Sequence, residues 1–231
     1  MSPAAGFFVD LVLISAAIFN LLRWMLVYHD NDYEAHLERR AHPYAHDDPA
    51  HCCIDLRSHP ELTEETLADF KPYADRGAVQ RLYGLVRWLN GADSIFETND
   101  SAFQAPPYPN PQRDQFKRDL QVMGRLTFFF RDLRINTRPA MIDWLCESLE
   151  EQIALQQRTL QFGCISYARF PHYFAALDGN PFETADGDAL ALKFWAWGNT
   201  DEEVFENLDM LFDGMRGALI AISDFAKARL R

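Results

Sequence analysis

Six of the seven histidines fall in one stretch, at His29, His36, His42, His46, His51 and His59, with Cys52 and Cys53 among them. Imidazole, thiolate and nearby carboxylates are the donor types of a zinc or nickel centre, so His42, His46, His51 and Cys52 are the weak metal-ligand candidates of the chain. Their spacing argues against a ready-made site. Pro43 and Pro49 break any helix that would set His42 and His46 on one face, and adjacent Cys52–Cys53 is not a C-x-x-C knuckle. The expectation is a polar, histidine-rich connection with no assigned metal or cofactor. A metal-dependent enzyme using this segment stands as an alternative.

A second set of polar residues is dispersed. Glu97, Asn99 and Asp100 could bring an acid to the end of a strand, with His172 as a base and Arg131 or Asp132 assisting. Turn chemistry is the favoured reading of Asn99-Asp100-Ser101, which it explains adequately. The sequence has no G-x-S-x-G elbow, phosphate-binding loop, H-E-x-x-H, G-x-G-x-x-G or S-x-x-K. No motif names a reaction, and no catalytic residue is assigned. Cys146 on an expected helix and Cys164 on an expected strand read as small buried hydrophobes, in a reducing compartment.

The strongest chemical signal is charge. Twenty-two lysines and arginines face 34 acids, for a net charge of −12 and a pI near 4.9. A nucleic-acid backbone needs a basic footprint, so nucleic acid is excluded as a partner. The excess is local: between Asp178 and Asp213 there are ten acids and one base, Lys193. Such a field favours a basic partner. The middle of the chain is nearly neutral and rich in arginine, so self-pairing between the two regions competes with partner binding. On the expected strand 189–197, Trp195 and Trp197 alternate with Phe194 and share a face. The partner-binding expectation therefore falls on Asp186, Asp188, Trp195, Trp197, Asp201, Glu202 and Glu206.

These residues need elements to hold them. Ala4 to Leu22 is the most hydrophobic window, with Asp10 as its only charge. It reads as a helix apolar on all sides, either a buried core helix or, over residues 4–27, a membrane anchor. It lacks the basic start and cleavage site of a signal peptide. Positive residues on its carboxyl side would place the rest of the chain in the cytoplasm, tethered to the inner face of the membrane if the segment spans. Leu62 to Phe70 and Gly77 to Leu89 read as helices, Ser94 to Asn99 as extended, and the proline-rich Gln104 to Gln112 as a loop. Leu120, Val122, Leu126, Phe128 and Phe130 form the dry side of a strand whose wet side carries Gln121, Arg125 and Thr127. Pro139 opens a helix, Phe162 to Phe170 is a strand, and Asp186-Gly187 is a turn before strand 189–197. Thr200 and Glu203 form a capping box for a final helix with a long apolar stripe from Val204 to Phe225.

The expected fold class is therefore α+β: a helical amino-terminal half followed by a ferredoxin-like, split β-α-β antiparallel sheet with helices on one face. The expected organisation is an apolar helix over 1–28, a connection over 29–62 and a single domain over 63–231. The expected function is a non-enzymatic protein-binding module of the inhibitor, immunity or adaptor type, engaging a partner with a basic surface. A membrane-anchored cytoplasmic accessory domain is the alternative.

Overall fold

The computed structural model describes residues 26–43, 55–155, 162–175, 177 and 183–229. At its centre are four long strands. Among these, β3 (Phe96–Pro109) pairs with β4 (Leu120–Phe130), β4 with β6 (Thr184–Gly198), and β6 with β5 (Gly163–Ala175), all antiparallel. Two short strands, β1 (Leu26–His29) and β2 (Arg40–His42), both run parallel to β5 along its free edge. The six described strands thus run β1-β5-β6-β4-β3, with β2 beside β1 on the β5 edge.

One face of the sheet is apolar by alternation. Val122, Leu126, Phe128 and Phe130 of β4 join Leu190, Leu192, Phe194 and Ala196 of β6 in one core. Three helices cover it: α3 (Gly77–Asn90), α6 (Pro139–Leu155) and α7 (Asp201–Arg229). Before α3 lie α1 (Asn31–Ala35) and α2 (Thr63–Thr66), and between α3 and α6 lie α4 (Arg113–Phe116) and α5 (Leu133–Asn136). The α7 stripe of Val204, Leu208, Leu211, Met215, Leu219 and Ile222 is buried against the sheet, α3 and α6. Burying it contributes on the order of 10 kcal/mol before conformational entropy is subtracted.

The parallel strands need no crossover helix of their own, because β1, α1 and β2 line one edge in succession. Between them β5 would present an unpaired amide and carbonyl. Asp30 N–H donates to the Tyr167 carbonyl at 2.8 Å, and the Glu34 carboxylate accepts from Arg169 N–H at 2.7 Å. Asp30 also caps α1 by accepting from Tyr33 N–H at 2.9 Å.

Three expectations are corrected. The amino-terminal half is not helical: its described part contributes β1, β2 and β3 to the sheet, and α3 is its only long helix. The end of the apolar segment enters strand Leu26–His29, because these residues pair in parallel with Cys164 to Tyr167 of β5; so short a run carries too little alternation to mark a strand in the sequence. The rest of that segment, residues 4–25, lies outside the described residues. Secondly, the sheet is mixed rather than the antiparallel sheet of a ferredoxin-like fold, since β1 and β2 are parallel to β5. Thirdly, two expected breaks are strand. Pro106 and Pro107 sit in β3, at the end of the strand order, where missing N–H groups cost the ladder least. Asp186 and Gly187 sit inside β6, paired with Tyr173 and His172. A Cβ at Gly187 would run into the Asn136 backbone, so this glycine permits close approach instead of a turn. Among the described residues no helix is long and apolar enough to cross a membrane.

Candidate functional site

The expected partner-binding residues divide between two places. Asp186 and Asp188 lie near one end of β6, while Asp201, Glu202 and Glu206 follow its other end. At the rise of an extended chain, the ten steps from Asp188 to Gly198 span roughly 30 Å. Asp186 is exposed and pairs with Arg39. Asp188 is half-buried, and burial raises its carboxyl above the usual range. The two tryptophans lie between these ends, on the sheet face away from α3, α6 and α7. Trp197 is buried: its ring stacks on Phe116 with centroids 4.5 Å apart, and Nε1–H donates to Gln121 at 3.1 Å. Trp195 is half-buried beside Lys193.

Around the start of α7 the acids meet arginines from the middle of the chain. Glu202 lies 3.7 Å from Arg76, Glu203 pairs with Arg118 at 3.0 Å, and Arg81 holds Asp209 at 2.6 Å and Asp213 at 3.0 Å. Self-pairing has neutralised much of the acidic run. Asp201 and Glu206 are exposed, and among the described residues neither has an ion-pair partner. Between α3 and α7 lies an open groove of about 700 Å³. Arg76 and Arg81 line its α3 side, and Glu202, Phe205, Glu206, Asp209 and Met210 its α7 side.

The other face of the sheet carries a polar centre that the sequence revealed in part. The sheet curls until side chains from opposite ends of the strand order meet. Arg40 of β2 and Arg125 of β4 both reach Oδ2 of Asp100 on β3, at 3.3 and 2.9 Å. Asp100 takes this position through a bulge between Thr98 and Asp100. Beside it, Asn99 Nδ2 lies 2.7 Å from His172 Nε2, while His172 Nδ1 lies 2.8 Å from the Phe170 carbonyl. Burial pushes the His172 pKa down, favouring a neutral ring that donates from Nδ1 and accepts at Nε2. With both nitrogens engaged, this histidine is a fixed strut, not a base awaiting substrate. Lys193 of β6 is buried and paired with Asp30 at 2.7 Å, its ammonium 3.9 Å from the Tyr33 ring centre. Burial lowers its pKa and Asp30 opposes the shift.

Compared with protein-family models, with curated proteins and with solved structures, the chain matches none.

Other candidates take structural roles. Arg131 Nη2 donates to the carbonyls of Gly91 at 2.7 Å, Phe96 at 3.2 Å and Leu89 at 3.3 Å, so it fastens the end of α3 to the start of β3. Asp132 caps α5 through Arg134 N–H. Glu97 faces Arg57 at 3.8 Å, and burial raises its carboxyl. Cys146 and Cys164 are buried thiols, and burial pushes Cys146 up to about 12, far from a reactive thiolate. Of the metal candidates, His42 packs its ring on Phe129 and Phe174, and burial, reinforced by His172, lowers it to about 4. His46, His51 and Cys52 lie outside the described residues. Among the described residues no group of three or more histidine, cysteine or acidic side chains could hold a metal ion.

Asp30, Arg40, Arg125 and Lys193 were missed as a set. Arg125 and Lys193 on the wet faces of two strands were visible signals, but their register was not.

Proposed function

We propose that the protein is a non-enzymatic binding protein that engages a basic protein partner at the start of α7. The observation that carries this reading is the α3–α7 groove. Its α7 side presents Glu202, Glu206 and Asp209 around the half-buried Met210, and Glu206 and the adjoining Asp201 are exposed carboxylates without an ion-pair partner among the described residues. Glu202 and Asp209 are matched by Arg76 and Arg81 across the groove, so Glu206 in its lining and Asp201 beside it are the carboxylates left to favour and steer lysine- or arginine-bearing side chains. The proposal narrows the expected surface to Asp201, Glu202 and Glu206. Asp186 and Asp188 fall outside it because β6 separates them, and Trp197 because Phe116 covers it.

The test is a titration at low ionic strength with a short oligolysine peptide, comparing the wild type with a Glu202→Lys/Glu206→Lys double variant and an Asp186→Lys control. The association rate constant, followed by stopped flow in the same series, is expected to be roughly tenfold lower for the groove variant, with the control close to wild type. Equal loss in both variants would refute the groove and leave only general attraction to an acidic protein.

A further inference from the structure

On the opposite face of the sheet from that groove, three cations are brought together at an electrostatic cost. Arg125 of β4 and Lys193 of β6 are direct cross-strand partners and so project from the same face. Like charges placed directly opposite each other destabilise a sheet, so packing alone would favour an acid or an apolar residue at one of these positions. A third cation, Arg40, arrives from β2 at the far edge of the curled sheet. Lys193 is matched by Asp30 at 2.7 Å. At the Asp100 corner the match is incomplete, because two guanidiniums share one carboxylate oxygen at 3.3 and 2.9 Å. Among the described residues, two cations meet one anion at this corner, inside a chain of net charge −12. Water reaches them: the Arg40 and Arg125 side chains are 39% and 43% exposed, while Asp100 is 21% exposed.

We propose that the Arg40–Asp100–Arg125 corner is a binding site for the phosphate group of a small phosphorylated ligand. A guanidinium presents a planar fork of donors that matches phosphate and carboxylate oxygens. Here the two forks belong to β2 and β4 and converge on one point. A planar carboxylate such as Asp100 offers only two oxygens in one plane. A phosphate offers three in different directions and can accept from both forks at once, with Asp100 as the internal stand-in that it displaces. Tyr33 stands on the same face, its ring centre 3.9 Å from the ammonium of Lys193, the cross-strand neighbour of Arg125. It can border the organic part of the ligand.

Calorimetric titration at low ionic strength with inorganic phosphate and with glycerol phosphate tests this directly. Wild-type protein is expected to bind both saturably. Arg125→Ala should weaken binding roughly tenfold or more by removing a charged hydrogen-bond donor, and Arg125→Lys should recover only part of the loss. Asp100→Asn is the decisive variant. Releasing both guanidiniums from their internal carboxylate should tighten phosphate binding, whereas a merely structural ion pair predicts no gain. Circular dichroism on each variant separates lost binding from lost folding. Absence of saturable binding by both wild type and Asp100→Asn would overturn the proposal. Acetate competing as well as phosphate at equal concentration would overturn the assignment to phosphate.

Discussion

Single side chains show where this structure has no slack. Asn136 replaces a missing strand at the end of β4: its Nδ2 donates to the Phe130 carbonyl at 2.7 Å and its Oδ1 accepts from Phe130 N–H at 2.8 Å. Asn136→Ala leaves both buried backbone groups unpaired, and a loss of about 3 kcal/mol is expected from urea unfolding. At Gly124, a Cβ would overlap the Phe194 ring and lie 2.7 Å from the Ala102 carbonyl oxygen. Gly124→Ala should therefore cost about 1–3 kcal/mol by overpacking, although alanine is ordinarily the better-ordered residue. The histidines give a pH dependence. His42 falls from 6.5 to about 4 on folding because burial disfavours its cation, and His172 moves the same way. Between those two values the unfolded chain binds the proton and the folded chain does not, so the His42 contribution to stability rises with pH from about 4 to 6.5. The raised Glu97 and Asp188 carboxyls act with the opposite sign, so the slope is read as the difference between wild type and His42→Phe in a urea series across this range, and that difference should grow with pH.

At the scale of elements, legibility followed the strength of the local pattern. The α7 stripe was plain because Val204, Leu208, Leu211, Met215 and Leu219 recur at helical spacing, and all are buried. Its start was plain too: Thr200 Oγ1 accepts from Glu203 N–H at 3.2 Å, and the Glu203 carboxylate accepts from Asn199 N–H at 2.8 Å. Thr200→Ala should cost about 1 kcal/mol, read as a lower thermal midpoint. Strand β6 was half legible. Its Leu190 to Trp197 alternation was correct, but Asp186-Gly187 resembled a turn because the contact that demands a glycine comes from Asn136, about fifty residues away. Strands β1 and β2 were illegible, since pairing with β5 defines them and four or three residues carry too little pattern. The same distance effect divided the polar centre. Asn99, Asp100 and His172 could be named together as polar residues, but only the curl of the sheet adds Arg40 and Arg125.

For the whole molecule, two faces of one sheet carry two kinds of surface. The helix-covered face supports a groove at the start of α7 with Glu206 unpaired among the described residues, and the opposite face gathers arginines within an otherwise acidic chain. Net charge described neither, because arginines from the middle of the chain neutralise much of the acidic run. What remains unpaired, Asp201 and Glu206, marks the surface proposed to meet a basic partner. Amide hydrogen exchange with and without the oligolysine peptide tests that claim most directly. Slower exchange is expected only at Arg76, residues 77–81 of α3 and residues 201–210 of α7. Protection centred instead on residues 184–188 of β6, or an exchange pattern unchanged at saturating peptide, would contradict it.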